Sequence, residues 1–344
     1  MLGLEFINGL PQFKHAGQQI FNMSALPGSY NFFDSRSVYV DPIMSDLAIE
    51  YSQSDMFIAP KIMPVKKVKK ESGLWWVYDS KNRVTLPSNV IRADTDTTNL
   101  VNAGLSESSY TCLEYSLGML IGRRAKENAD QPVEPIQDAV QLLTELIMLN
   151  REIRTKDALF NATTFASYSE TLSGSDQWSD YENSNPRTQA KTANESIRQN
   201  AMKLMNTCVI GSAVYDQLED HPELQARIVG GSDLSKPALL DEKTVARMLK
   251  VNTLHVGRSV YNSANEGQTI SNADVWGKNA LFAFVNPTPP RKGMTLGVTL
   301  QTQNLTVALY DVPGRKSTMV EVSVIEVPKV VSAGAGYYVI SVVV

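Results

Sequence analysis

PIQDAVQLLTELIMLNREIRTKDALFN, residues 135–161, has the strongest helical pattern in the chain. Prolines and acidic residues stand where a helix would begin, and basic residues stand where it would end, as the helix dipole favours. At ~1.5 Å per residue such a helix is roughly 40 Å long, enough for the backbone of an elongated domain. Its apolar side chains recur at helical spacing and form a broad apolar stripe of Ile136, Val140, Leu143 and Ile147 with Leu142, Leu146, Leu149 and Ile153.

The segment before this helix, residues 56–122, has the pattern of a long β-hairpin. Residues 56–70, LWWVYD at 74–79 and YTCLEYSLGMLI at 110–121 are rich in β-formers, and we expect the last two to pair antiparallel. About 30 polar residues lie between them and predict an extended loop. Both faces of the 74–79 strand are apolar, so both should be covered, either in a sheet or by partners.

Residues 1–40 predict an arm that lies along another surface, such as a neighbouring subunit. Polar residues, glycine and proline dominate, but a disordered tail rarely contains so many aromatic residues. The aromatic residues of this segment include Phe6, Phe13, Phe21, Phe32 and Phe33. A short helical turn is expected at 45–51.

The second half of the chain predicts an α/β unit followed by β-structure. The expected helices are 190–205, 213–218 and 244–249, and the expected strands are 208–212, 253–256, 280–285, 296–302, 306–310 and 319–327. The terminal YYVISVVV, residues 337–344, would promote aggregation if unpaired, so we expect a strand buried in a sheet or a subunit contact.

The charge balance argues against a protein that mainly grips phosphate backbones. Lys and Arg number 32 against 36 Asp and Glu, a net charge of −4. The lysine-rich KIMPVKKVKK, residues 61–70, could contact phosphate or an acidic neighbour, or could equally be a solvated strand edge. Neither a secretory signal nor an apolar run of the ~18–20 residues that a membrane span requires is present, which predicts a soluble intracellular protein.

Catalytic and metal-binding patterns are weak throughout. His15, His221 and His255 are scattered without ligand spacing, so no metal site and no cofactor are predicted. Residues 94–98 resemble a calcium loop but lack the required glycine and glutamate at the later positions. Gly211-Ser212 is interpreted as a strand-to-helix turn capped by Ser212. Cys112 and Cys208 lie in apolar β-patterns, which favours buried, inert thiols.

The tryptophans are more informative as contact residues. Trp75 and Trp76 are predicted to contact a neighbouring subunit, together with Tyr78, Phe32 and Phe33. Placement in the chain's own core is at least as favoured for Trp178 and Trp276.

The order of these parts, and several short motifs in the same order, resemble the major capsid proteins of tailed bacteriophages with the Hong Kong 97-type fold. The resemblance covers roughly residues 38–330 and departs at 181–187. The motifs are YVDPI (39–43), AIEY (48–51), FIAPKIMPV (57–65), GLWWVY (73–78), LNRE (149–152), WSD (178–180), NTCVIG (206–211) and LEDHP (218–222).

The resemblance implies an α+β subunit with five parts. These are an N-terminal arm (1–55), an E-loop hairpin (56–125), a P-domain with a spine helix (126–195), an A-domain (196–290) and returning β-segments (291–344). It further implies a non-enzymatic protein, made in the host cytoplasm, whose pentamers and hexamers close an icosahedral head around double-stranded DNA. Portal and scaffolding proteins, and decoration proteins in some phages, would be its partners. The short segment before the body favours a separate scaffolding protein, and no covalent crosslinking is expected.

Two other functions stay open at the level of sequence. An encapsulin-type nanocompartment shares the implied fold and would hold an enzyme cargo instead of DNA. A cytoplasmic α/β enzyme could use residues 190–290 as its catalytic body, but it would need a cleft with converging polar groups.

Overall fold

The predicted 135–161 helix is confirmed and runs from Pro135 to Leu159, with the N–H of Phe160 closing its last turn on the Lys156 carbonyl. The computed structural model describes residues 3–7, 10–14, 39–40, 56–77, 106–128, 134–229, 240–265, 267–290 and 293–344, and isolated positions between 86 and 100. The apolar stripe of this helix is buried along one side only. Val140, Leu143 and Ile147 are buried, whereas Leu142 and Leu146 are 45% and 43% exposed, because only one side of the helix faces the sheet.

The helices and strands are numbered in chain order. The described helices are α1 Ala59–Ile62, α2 Arg123–Glu127, α3 Pro135–Leu159, α4 Pro186–Ala201, α5 Ser212–Glu219, α6 Pro222–Val229 and α7 Glu242–Met248. The described strands are β1 Gly3–Ile7, β2 Leu10–Lys14, β3 Tyr39–Val40, β4 Val65–Lys67, β5 Ser72–Val77, β6 Ser106–Thr111, β7 Leu113–Gly122, β8 Ser169–Thr171, β9 Thr207–Gly211, β10 Thr253–Gly257, β11 Val260–Asn262, β12 Asn272–Asp274, β13 Ala280–Ala283, β14 Gly297–Val312, β15 Ser317–Val330 and β16 Gly336–Ile340.

Helix α3 packs on a sheet built around the long β14–β15 hairpin. The two strands pair antiparallel from Gly297↔Val330 to Val312↔Ser317. The sequence predicted two strands, 296–302 and 306–310, but β14 is continuous, because register irregularities near Gln303 absorb the break in its pattern. Val320, Val322 and Val324 alternate along β15 and are fully buried beneath the helix.

Strand β7 forms an outer edge of this sheet by pairing with β15. This corrects the predicted pairing of 110–121 with 74–79. Among the described strands, β6 alone pairs with β5, and the chain then leaves the hairpin at Cys112. Strand β7 pairs instead with the valine-rich β15, which offers ten register partners against six in the hairpin.

A second sheet, in the order β10-β9-β13-β16-β8, forms the centre of the α/β unit. Strands β9 and β10 are parallel, and β13 is antiparallel to both β9 and β16. Side chains of α4, α5 and α7 pack against this sheet in one apolar cluster. The predicted burial of the C-terminal strand is confirmed, since Tyr338 and Val339 lie inside the sheet.

Several local predictions need correction. Residues 56–70, predicted as β-rich, begin with the helical turn α1, in which Pro60 occupies a first-turn position that tolerates its missing N–H. Helix α5 begins at Ser212 with Gly211 at the N-cap, and the Ser212 side chain makes no capping hydrogen bond. Helix α6 begins at Pro222, directly after His221, where only a turn was expected.

The N-terminal residues 1–39 form a separate unit. Strands β1 and β2 pair antiparallel within it, from Gly3↔Lys14 to Ile7↔Leu10. The predicted turn at 45–51 and the side chains of the five phenylalanines lie outside the described residues.

Candidate structural junction and contact surface

The buried carboxylate of Glu152 joins three separate parts of the chain. It accepts hydrogen bonds from the backbone N–H of Ile58 (3.0 Å) and of Ala59 (2.8 Å) at the start of α1. It also accepts one from the indole Nε1–H of Trp276 at 2.8 Å. Burial raises the pKa of Glu152, and these three hydrogen bonds oppose that rise. Helix α3 is thereby tied to the base of the hairpin segment and to the α/β unit.

The indole of Trp276 fits tightly beside Glu152. Its edge meets Phe160 at a centroid distance of 5.3 Å, and Phe160 stacks on Tyr338 at 5.2 Å. At Gly257 the backbone passes so close that a Cβ would lie 2.0 Å from Trp276 Cδ1. Only glycine fits there without moving the ring.

Next to Glu152 along α3, Arg151 and Arg154 bind a second buried carboxylate, which fixes the helix to the sheet. Glu326 of β15 accepts from Arg151 Nε at 2.7 Å and from Arg154 Nη2 at 3.0 Å, and a further Arg151 nitrogen contacts its other oxygen. Gln301 Nε2 donates to the same carboxylate at 3.3 Å. Arg154 also stacks over the Tyr115 ring, 3.6 Å from its centroid. The buried negative charge therefore has two cationic partners.

The hairpin residues predicted as intersubunit contacts fall into different environments. Trp75 is 5% exposed and packs within the chain against Cys112, Val298 and Leu300. On the other face of the strand, Trp76 is half-buried and Leu74 is 58% exposed. The positions of Tyr78, Phe32 and Phe33 lie outside the described residues, and the predicted contact itself stays a prediction.

Beside that face lies an open cavity of about 660 Å³. We call it the lysine cleft, because Lys66, Lys67, Lys69 and Lys70 line it together with Leu74 and Trp76. Tyr110 closes one side by donating its hydroxyl to the Lys70 carbonyl at 3.1 Å. The predicted lysine-rich segment is thus partly an exposed strand edge, since β14 is the one described strand that pairs with β4.

Within the described part of the chain, Ser184 and His221 form a serine–histidine pair at hydrogen-bond distance. The backbone N–H of Glu223 donates to Nδ1 of His221, so Nε2 carries the proton and donates to Ser184 Oγ at 3.1 Å. Ser184 in turn donates to the Asp180 carbonyl at 2.5 Å. The imidazole therefore does not accept the serine proton, as a general base would have to. Burial also lowers the pKa of His221.

The remaining candidate groups are placed as packing residues. Cys112 and Cys208 are buried, as predicted, and burial raises the pKa of both thiols. Trp178 and Trp276 are fully buried in the chain's own core. Among the described residues no cluster of three or more His, Cys, Asp or Glu side chains could hold a metal ion, and no helix within those ranges is long and apolar enough to cross a membrane.

Two phage proteins are similar to this chain over most of its length. A major capsid protein of Pseudomonas phage JBD67 is 28% identical over 264 residues, which is 76% of this chain and 82% of that protein. A major capsid protein of Burkholderia phage BcepMu is 27% identical over 307 residues, which is 87% of this chain and 95% of that protein. No family model matches the chain.

Solved structures confirm the predicted fold. A phage-related protein from Bordetella bronchiseptica RB50 superposes with a TM-score of 0.70 at 21% identity, covering 89% of this chain and 98% of that one. The capsid of cyanophage P-SCSP1u superposes with a TM-score of 0.53 at 11% identity, covering 81% and 86%. The chain thus has the α+β, Hong Kong 97-type fold of phage capsid proteins.

Proposed function

We propose that this chain, a phage major capsid protein, assembles as pentamers and hexamers into an icosahedral head that encloses double-stranded DNA. The observation that carries the proposal is its similarity, over 76% and 87% of its length, to two phage proteins named as major capsid proteins. A structural protein of the capsid is part of the virion. Synthesis in the host cytoplasm and the absence of any catalytic role belong to the proposal.

The exposed surface of the chain supports assembly on physical grounds. Large apolar side chains stand exposed on the edge strand β7 and on the outer side of α3, where a monomer would normally carry polar residues. These include Leu113, Leu117, Met119, Leu120, Leu142 and Leu146. An edge strand with unpaired backbone groups also invites another chain. Contacts between copies would cover both features, and heterologous contacts generate closed rings.

The proposed partners follow from a container function. Other copies of the chain form the shell, a portal and a separate scaffolding protein take part in assembly, and decoration proteins are optional. With a net charge of −4, the chain would touch packaged DNA weakly and without sequence preference. The five domain ranges given above remain proposals, as does the absence of covalent crosslinks. A ladder of bands from mature particles in a denaturing gel would contradict the last point.

Negative-stain electron microscopy of the overexpressed chain, with and without neighbouring phage genes, tests the shell function. We expect closed polyhedra, tubes or six-fold rings, and DNA inside particles recovered from phage infection. Small nucleic-acid-free shells with an enzyme cargo would instead indicate a nanocompartment. Uniform small oligomers under all conditions would contradict a capsid function.

A further inference from the structure

Strand β7 lies at an open edge of its sheet. It pairs with β15, and no other described strand pairs with it. Over residues 113–122, LEYSLGMLIG, it has neither proline nor lysine, and its register with β15 runs without a shift. Glu114 is its one charged residue. Edges that stay in solvent are normally protected by lysines, prolines or bulges. The sequence of β7 is therefore typical of an edge that another strand covers.

The backbone groups on this edge belong to the even-numbered residues of β7. Neighbouring residues of an antiparallel strand direct their N–H and C=O groups to opposite sides. The N–H of Arg123 donates to the Lys316 carbonyl at 3.1 Å, so odd-numbered residues face β15. The N–H of Cys112 donates in the other direction, to the Glu71 carbonyl at 2.7 Å, in agreement with that alternation. The even-numbered residues from 114 to 120 therefore point to the open edge.

The odd-numbered side chains of β7 lie on the sheet face that packs against α3. Ile121 is buried in that apolar cluster, and Tyr115 packs against it. Further out on the same face, Leu113, Leu117 and Met119 expose 55%, 39% and 40% of their surface. Large apolar side chains grouped in this way indicate a contact surface. An added strand would extend the face on which they lie.

We propose that β7 pairs antiparallel with β7 of a second copy, about a two-fold axis that passes through the sheet at Leu117. The two sheets then continue as one. This inference rests on the proposed shell function and names a contact that joins one ring of copies to the next.

A pairing centred on Leu117 places apolar residues opposite apolar residues along the α3 face. Leu117 lies opposite the same residue of the second copy. Tyr115 lies opposite Met119, and Leu113 lies opposite Ile121. Aromatic and aliphatic pairs directly across two strands stabilise a sheet.

A second copy is the occupant because this edge complements itself. The two Glu114 side chains are six positions apart along the paired strands, roughly 20 Å at ~3.4 Å per residue, so the like charges do not meet. Every copy in a shell brings one such edge. A two-fold contact uses two edges and leaves neither open, whereas heterologous contacts build the rings themselves.

Single cysteines on β7 test the pairing in assembled particles. Leu117→Cys places two thiols in a non-hydrogen-bonded antiparallel pair, whose Cα atoms lie about 4.5 Å apart, within the range that a disulfide spans. Leu113→Cys is the matched control. It lies on the same face and is more exposed, but the two copies of this position lie roughly 27 Å apart in the proposed register. The unmodified chain, with Cys112 and Cys208 buried, is the blank.

After mild oxidation, a denaturing gel without reductant should show at least about tenfold more disulfide-linked dimer for Leu117→Cys than for Leu113→Cys, because only the first pair meets the disulfide distance. Equal yields from the two variants would overturn the pairing. So would assembled Leu117→Cys particles without a dimer band, or a band that joins Leu117→Cys to a different protein.

Charged residues at the same position give an independent test. Leu117→Lys and Leu117→Glu each place like charges opposite one another, so each alone should lose at least about threefold in closed particles, counted by electron microscopy. An equimolar mixture should recover, because lysine then lies opposite glutamate. Circular dichroism verifies that each variant folds. If both folded variants assembled as the unmodified chain does, or if the mixture did not recover, the two-fold pairing would be wrong.

The failure of the shell function is distinguishable from the failure of the pairing. If the unmodified chain formed no shells, the shell function would fail. Oxidation of free Leu117→Cys chains would then decide the pairing, because a disulfide-linked dimer would support it and the absence of one would overturn it.

Discussion

Helix α3 is held by two buried carboxylates, Glu152 and Glu326, and we call their surroundings the α3 junction. The α3 junction and the lysine cleft of the hairpin differ in how many hydrogen-bond and ionic partners their polar side chains find within the described chain. At the junction, Glu152 and Glu326 are fully buried, and each carboxylate has at least three hydrogen-bond donors. In the cleft, four lysines lie beside one glutamate, and Leu74 faces solvent. Described residues supply hydrogen-bond donors to both buried carboxylates, whereas no ion pair found between described residues uses the four lysines of the cleft. Substitutions in the two regions should therefore damage different properties.

The largest loss of stability is expected for Glu326→Ala. It leaves the guanidinium groups of Arg151 and Arg154 buried without their carboxylate, a change that typically costs about 3–5 kcal/mol. Urea unfolding of the dilute, unassembled chain, followed by tryptophan fluorescence, measures it. Glu114→Ala on the exposed side of β7 is the control and should change little. Equal effects of the two substitutions would mean that the buried ion pairs do not hold α3 to the sheet.

A smaller loss is expected for Trp276→Phe, which removes the hydrogen bond to Glu152. A hydrogen bond to a charged group is worth about 1.5–3 kcal/mol. Trp178→Phe is a close control, since that indole is equally buried but its N–H has no hydrogen-bond partner within the described structure. The difference between their free energies of unfolding isolates the contribution of the Glu152 bond. If Trp178→Phe lowered the free energy of unfolding as much as Trp276→Phe or more, the hydrogen bond to Glu152 would not stabilise the link between α3 and the α/β unit.

Lowering the pH should reduce the free energy of unfolding of the chain through protonation of His221. Burial lowers the pKa of this imidazole below its ordinary 6.5, so the unfolded chain binds a proton more readily than the folded chain does. This difference in pKa between the folded and unfolded chain stabilises the fold at pH values above 6.5. That stabilisation is lost as the pH falls below 6.5. Unfolding free energies between pH 8 and pH 5 should decline less steeply in His221→Gln than in the unmodified chain. Parallel slopes would show that this histidine does not titrate in that range.

The sequence predicts the long helix α3, the α/β unit and the burial of the C-terminal strand. Two features of the sequence also indicate, in retrospect, that Glu326 and Glu152 are buried. Along β15 the alternation Val320, Val322, Val324 places Glu326 at an inward position, where a carboxylate requires partners. On α3, Glu152 falls one turn after the buried Met148. The donors to Glu152 could not be predicted, because they come from residues 93 and more positions away. The pairing of β7 with β15 was missed for the same reason, since nearby β-rich segments suggest a local hairpin first.

The smallest effect on the stability of the single chain, and the sharpest separation of the two regions, is expected for Leu142→Ala/Leu146→Ala. Both side chains lie outside the core, so the free energy of unfolding of the unassembled chain should stay within about 0.5 kcal/mol of its original value at each site. Leu143→Ala, between them but buried, should cost about 2–5 kcal/mol. The double variant should nevertheless assemble poorly, because it removes exposed apolar groups that the proposed contacts between copies would cover. If instead it unfolded easily, the two leucines would belong to the chain's own core, and α3 would have no free face to offer a neighbouring copy.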